Sequence, residues 1–208
     1  MLEIERIVNA PISSNCFVIA KDNNCIIVDP GTNPPAELEN LFRIKDWCPR
    51  YIILTHEHYD HIEGCNALRS LYPDVKLIAS ASCSRNIQND RWNLSRYKAN
   101  DGIGFIVSAA DIDIEKDKTL SLLGLNFHFL LTPGHSLGSM CFWFEINFFT
   151  GDMLIPDEKV ILKLKGGSKD DYDTSWMKIK QELTISDFIV FPGHKECFNS
   201  IEVKCVYD

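Results

Sequence analysis

Four apolar runs in this chain end in the same manner, in a short turn that carries histidine or aspartate. Tyr51-Ile52-Ile53-Leu54 leads through Thr55 into the hexapeptide His56-Glu57-His58-Tyr59-Asp60-His61. Phe127-His128-Phe129-Leu130-Leu131 leads into Thr132-Pro133-Gly134-His135. Ile146-Asn147-Phe148-Phe149 leads into Thr150-Gly151-Asp152, and Phe188-Ile189-Val190-Phe191 into Pro192-Gly193-His194. Apolar runs of this length read as buried strands. A rigid sheet can hold the loops at its strand ends in register, so the pattern demands a sheet framework with one functional edge. Gly134, Gly151 and Gly193 are placed to let the backbone turn sharply before each polar side chain.

The order of elements agrees with that framework. Ile12 to Ala20 and Asn24 to Asp29 read as strands joined by a turn at Lys21-Asp22-Asn23. A loop over residues 30–35 leads into a helix near Ala36 to Phe42, with Leu38, Leu41 and Phe42 on one face. Tyr51 to Leu54 is a strand, Ile62 to Tyr72 a helix with Ile62, Cys65, Leu68 and Leu71 at helical spacing, and Lys76 to Ala79 a strand. Residues 80–110 are irregular, and Trp92 and Tyr97 within them are candidates to cover the site. Thr119 to Leu131, Met140 to Phe149 and Phe188 to Phe191 supply further strand segments. Strands and helices recurring in this order predict a layered α/β protein with mixed sheets and outer helices. No heptad run, low-complexity tract or solenoid-period repeat competes with this reading.

Composition narrows the partners. The 208 residues suffice for one large domain, with 45% hydrophobic and 24% charged residues, as in soluble globular proteins. A net charge of −8 argues against nucleic acid, which requires a clustered basic surface. It leaves room for a small anionic substrate, because a local field can oppose the global one. The N-terminal run Met1 to Arg6 carries charges where a secretory signal needs an apolar stretch, and no run is long enough to span a membrane. The expectation is a cytoplasmic protein acting on a small molecule, with its oligomeric state left open. Eight cysteines without any Cys-x-x-Cys pair read as reduced thiols packed as small apolar groups.

The strand ends together offer His56, His58, Asp60, His61, His135, Asp152 and His194. A lone histidine after a strand is ordinarily a surface residue, and an aspartate after glycine ordinarily steadies a turn. The hexapeptide alters that balance, because an ion held by it alone would want further ligands. Seven donors exceed one tetrahedral ion and suit two ions that share a carboxylate. Imidazole nitrogen and carboxylate oxygen favour zinc, with iron or manganese as alternatives, over copper(I). The absence of cysteine from the set argues against a closed structural zinc site. His128 alternates with phenylalanines inside a strand and is expected to lie away from the site. Glu57 does not form a His-Glu-x-x-His protease helix, since residue 60 is aspartate.

The motifs His56-x-His58-x-Asp60-His61, Thr132-Pro133-Gly134-His135-Ser136-x-Gly138-Ser139, Thr150-Gly151-Asp152 and Pro192-Gly193-His194 resemble the metallo-β-lactamase superfamily, as does Val28-Asp29-Pro30-Gly31. The resemblance runs from Ile12 to His194 and implies one domain over residues 1–208. Its fold would be a four-layer αββα sandwich of two mixed β-sheets, with two metal ions at one edge. The resemblance places His56, His58 and His135 on one metal, Asp60, His61 and His194 on the other, and Asp152 between them. Aspartate at 152 and the Thr-Pro-Gly-His-Ser form are most similar to glyoxalase II-like hydrolases. The segments after Asp152 and after His194 differ from theirs, so no glutathione-binding residue transfers.

The function expected from this resemblance is a dinuclear metal-dependent hydrolase that cleaves a small ester, thioester or lactone, with a bridging hydroxide as nucleophile and Asp60 as catalytic proton acceptor. Lys163, Lys165 and Lys169 are candidates to attract a substrate carboxylate. The nearest rival is a persulfide dioxygenase-like oxidoreductase with one iron on the equivalents of His56, His135 and Asp152. A phosphodiesterase and a non-catalytic metal-binding protein are the more distant alternatives.

Overall fold

A computed structural model describes residues 1–31, 35–98 and 102–201. Thr32 to Pro34 of the expected loop and Cys205 lie outside the described residues. The first part of the chain forms strands β1 (Leu2–Asn9), β2 (Ser14–Lys21), β3 (Asn24–Val28), β4 (Cys48–Ile53), β5 (Lys76–Ser80) and β6 (Ile112–Ile114). Helices α1 (Pro35–Lys45), α2 (Tyr59–Ile62), α3 (Cys65–Leu71), α4 (Ala81–Asn86) and α5 (Ser95–Lys98) lie between them. The remainder forms β7 (Lys118–Leu122), β8 (Leu125–Leu131), β9 (Met140–Phe144), β10 (Asn147–Gly151), α6 (Lys169–Ile185), β11 (Ile189–Pro192) and β12 (Phe198–Asn199).

Two six-stranded sheets result, in the orders β1-β2-β3-β4-β5-β6 and β12-β11-β10-β9-β8-β7. Both are mixed. The first is antiparallel through β3 and parallel from β3 to β6. The second is antiparallel except where β10 runs parallel to β11.

Side-chain alternation explains the layers. In β2, Phe17 and Ile19 point to one face while Cys16, Val18 and Ala20 point to the other. In β8 and β9, Phe127, Phe129, Met140, Phe142 and Phe144 meet the inner face of the first sheet. Leu130 and Cys141 turn outward to Ile179 and Leu183 of α6. The outward set of the first sheet packs on Leu38, Phe42, Leu68 and Ile87 from the helices of that side. Period-2 alternation with both faces buried therefore yields helix, sheet, sheet, helix. The expected four-layer αββα sandwich is the observed fold.

Several elements depart from expectation. The charged N-terminal run folds as edge strand β1, pairing Leu2 with Lys21 through to Asn9 with Ser14. Its Glu3 and Glu5 reach Lys45, which holds an edge position open to charge. The helix expected from Ile62 to Tyr72 is interrupted at Gly64, where a Cβ would press to 2.7 Å from the Pro30 carbonyl. Helix α6 went unrecognised because only Ser175, Ile179 and Leu183 of its 17 residues are buried. The described cysteines are all free thiols, and five of them are buried in the apolar layers. Burial pushes the Cys25 and Cys141 thiols up to about 12. Among the described residues no helix is long and apolar enough to cross a membrane.

Candidate metal centre

Asp29, at the end of β3, organises the end of β4. It adopts a left-handed backbone, φ 49°. Its Oδ1 accepts from the Thr55 amide at 2.8 Å, and its Oδ2 accepts from the Thr55 hydroxyl at 2.6 Å and lies 3.0 Å from His61 Nδ1. The chain then places His56 and His58 before the single turn of α2, which carries Asp60 and His61. The second sheet brings its own strand ends to the same place. The Met140 amide donates to the Thr55 carbonyl at 2.8 Å, joining the two sheets beside the site.

Gly134 takes φ 147°, and a Cβ there would collide with the backbone of Tyr172 on α6. Ser175 of α6 donates to the Pro133 carbonyl at 2.6 Å, and the Ser168 amide to Gly134 at 2.8 Å, so the helix fixes the turn before His135. Gly193 serves differently from the sharp turn expected. Its amide donates to Gly151 at 2.8 Å, and a Cβ would collide with Asp152 Oδ1. Glycine is needed there for close approach of β11 to Asp152.

All seven expected side chains converge. Three donor groupings lie within 4.8 Å: His56, His58 and His135; Asp60, His61 and His194; and Asp29, His56 and His61. Asp152 stands between the first two. Its Oδ2 lies 4.0 Å from His56 Nε2, 3.5 Å from His135 Nε2 and 3.5 Å from His194 Nε2, while Oδ1 lies 3.6 Å from His61 Nε2. Asp60 Oδ2 lies 3.7 Å from His61 Nε2 and 3.5 Å from His194 Nε2. Around a tetrahedral ion with bonds of about 2.1 Å, neighbouring donors stand roughly 3.4 Å apart. The observed separations match that scale.

Hydrogen bonding aims the rings. Thr55 gives its single hydroxyl hydrogen to Asp29, so toward His56 Nδ1 at 3.0 Å it acts as acceptor. His56 then keeps its Nδ1 hydrogen and turns Nε2 inward. His61 Nδ1 faces Asp29, His135 Nδ1 faces the Ile161 carbonyl at 3.0 Å, and His194 Nδ1 faces the Ser13 carbonyl at 3.1 Å. His58 is reversed, with Nδ1 2.9 Å from His135 Nε2. Two such lone pairs repel unless a proton or a cation lies between them. Among the described residues six buried side-chain atoms lack a hydrogen-bond partner; four of them, His56 Nε2, His58 Nε2, His61 Nε2 and Asp152 Oδ1, belong to this centre, and the other two are Asn9 Oδ1 and Asn15 Oδ1. Buried donors and acceptors are ordinarily satisfied, so orphans concentrated at one point fit a bound cation. Asp29 already has three partners and acts as the support that orients His61.

The two halves of the centre differ electrically. Burial pushes His56 well below its ordinary value and His58 down to about 3, with neighbouring histidines adding to the effect. His61 is equally buried, yet Asp60, Asp152 and Asp29 outweigh burial and raise it to about 9. Against burial, Asp152 and Asp60 raise His194 to about 10. Burial opposes ionisation of Asp152 and Asp60 as well, and His61 and His194 nevertheless hold both carboxyls below the ordinary range.

A cleft of about 330 Å³ opens on this centre, and its polar lining includes Tyr59 and Glu158 beside His58, Asp60, His135, Asp152 and His194. Lys159 lines it, whereas the lysines singled out in the sequence do not. Lys165 sits 4.3 Å over the Trp92 ring, Lys169 pairs with Asp173, and Lys163 is exposed. Tyr97 is exposed, and the irregular segment reaches the cleft through Leu94 instead. His128 stacks on Trp143 at 5.1 Å on the outer face, away from the centre as expected. Sequence reasoning missed Glu57 as a support. Its buried carboxylate accepts from Ser136 Oγ and Asn86 Nδ2, each at 2.7 Å, tying the hexapeptide to the His135 loop.

Comparison with known proteins agrees with this geometry. The profile of the metallo-beta-lactamase superfamily matches residues 9–194. A hydroxyacylglutathione hydrolase of Klebsiella pneumoniae subsp. pneumoniae is 31% identical over 166 residues, which is 78% of this chain and 55% of that protein. The aligned part thus spans about half the length of that relative. A probable metallo-hydrolase of Streptococcus pyogenes serotype M6 is 28% identical over 201 residues, covering 93% of this chain and 84% of its own. The B3 metallo-beta-lactamase BLEG-1 shares the fold with a TM-score of 0.87 at 24% identity, covering 96% of this chain and 95% of that one. Sequence motifs, layer order and the converged histidine and aspartate cluster agree with that profile, and the chain belongs to the metallo-β-lactamase superfamily.

Proposed function

We propose that this protein is a dinuclear metal-dependent hydrolase of small esters, thioesters or lactones. The observation that carries the reading is Asp152 poised between two donor triplets at the floor of an open cleft. His56, His58 and His135 would hold one ion, Asp60, His61 and His194 the other, and Asp152 would be shared. Bound divalent ions would supply Lewis acidity, lowering the pKa of a coordinated water and polarising the substrate carbonyl.

The chain's own groups do the rest. Asp60 lines the cleft, and its carboxylate is held ionised by His61 and His194. It accepts a proton as water adds to the carbonyl carbon. It returns that proton to the thiolate or alkoxide when the carbon–sulfur or carbon–oxygen bond breaks. Asp29 and the Ser13 and Ile161 carbonyls keep the imidazoles aligned throughout. The cleft opens to solvent, which suits a small soluble substrate.

The test is metal analysis combined with a hydrolysis screen of the metal-loaded protein against thioesters, esters, lactones and phosphodiesters. Two ions per chain and turnover of a carbonyl substrate are the expected result. One iron per chain with oxygen uptake on a persulfide would overturn it, as would hydrolysis of none of the compounds.

A further inference from the structure

We infer that the proposed hydrolase is selective for aliphatic acyl groups, and that Leu94 is its specificity-determining residue. This inference rests on the hydrolase reading for its chemistry. Besides the donor residues, five aliphatic side chains line the cleft: Ile12, Leu94, Ile155, Ile161 and Leu164. Ile12 and Leu164 are each 40% exposed and Ile161 58%. Aliphatic side chains scattered singly on a surface carry no message, but five converging on one reactive centre form a binding wall. Glu158 and Lys159 also line the cleft, and Glu158 is paired with Lys195 at 2.7 Å. A carbonyl resting at the donors would find its apolar contacts for the acyl substituent among these aliphatic side chains.

The backbone around Leu94 supports the assignment. Leu94 has φ 64°, a left-handed conformation that a bulky residue rarely adopts. Neighbouring side chains on both sides impose it. Asn93 is fully buried, and its Nδ2 donates to the Phe105 carbonyl at 2.8 Å while its Oδ1 accepts from the Ser95 amide at 2.9 Å. Ser95 Oγ accepts from the Phe105 amide at 2.9 Å. Residues in disfavoured conformations persist where surrounding structure over-determines them, and they cluster at ligand clamps. Here the outcome is a leucine presented to the cleft. Lys165, 4.3 Å over the Trp92 ring, adds a contact between the segment of Leu94 and the loop that carries Leu164.

The experiment uses metal-loaded full-length protein and a series of thioesters of one thiol, with acetyl, butanoyl, hexanoyl, octanoyl and lactoyl groups. Wild-type kcat/KM is expected to rise about two- to fourfold per methylene until the cleft is filled. Leu94→Ala is expected to flatten that slope. Leu94→Gly suits a positive φ, so it is expected to flatten the slope without lowering the thermal midpoint. Preference for lactoyl over butanoyl, or an unchanged slope in both variants, would overturn the inference.

A second readout separates this inference from the hydrolase reading. Octanoate binding to the same preparations is followed by nuclear magnetic resonance. If no thioester, ester or lactone is cleaved, the hydrolase reading fails. Saturable octanoate binding weakened about fivefold or more by Leu94→Ala would still support the wall. Equal binding to wild type and variant, or none, would sink it.

Discussion

Asp29 illustrates how a single side chain sets the competence of others. One carboxylate satisfies the Thr55 amide, the Thr55 hydroxyl and His61 Nδ1. Asp29→Asn keeps an oxygen for the amide but presents a donor where Oδ2 accepted. His61 would lose its orientation, and cation affinity is expected to fall about 10- to 100-fold. Chelator competition measures this, and an unchanged affinity would remove Asp29 from the supporting shell. The histidines also predict a pH dependence. Protons held by His61 and His194 up to about 9 and 10 must leave before their Nε2 atoms bind a cation. Cation uptake at neutral pH should therefore release protons, and affinity should rise with pH through that range. Calorimetry in buffers of different ionisation enthalpy reads the protons directly. At this scale the seven donors were legible because their chemistry is rare and follows strand ends. Asp29 was visible only as part of a motif, and Glu57 not at all as a support, because tertiary contacts define both roles.

Among the elements, α6 shows how far the site depends on parts remote in sequence. Its buried face packs Ile179 and Leu183 against Phe148 and Val190 of the second sheet. Ser175 on the same face anchors Pro133. Ile179→Ala is expected to cost about 2–5 kcal/mol of stability, since the surrounding layer closes such a cavity only partly. Urea unfolding measures the cost, and a loss well under 1 kcal/mol would show that α6 rests on the sheet only lightly. The central strands were readable because β2, β4, β8, β9 and β10 carry apolar runs buried on both faces. Strand β1 and helix α6 were not, because an edge strand and a surface helix bury few residues and leave their remaining positions to charge. The break between α2 and α3 was also hidden. Apolar spacing continues across Gly64, whose amide donates to the Gly31 carbonyl at 2.8 Å and which leaves no room for a side chain beside Pro30.

For the whole molecule, the centre lies where two sheets meet. The first sheet and its loops supply His56, His58, Asp60 and His61, and the second supplies His135, Asp152 and His194. Bound ions would cross-link the two. A ligand present at about 1,000 times its dissociation constant stabilises the folded state by about 4 kcal/mol. For a chain of this size, that corresponds to a thermal midpoint roughly 8–16 °C higher with metal than with chelator. Scanning calorimetry checks it, and coincident midpoints would contradict ions shared between the sheets. The sheet order carries one more consequence. Every strand of the first sheet precedes every strand of the second along the chain, with the seam at residues 115–117. During synthesis, four of the seven donors and a complete apolar sheet face emerge before any strand able to cover them exists. The nascent chain must carry Phe17, Ile19, Ile26 and Ile53 uncovered until β8 and β9 arrive. On the proposed assignment, the first triplet is complete once His135 has emerged, whereas the second must wait for His194.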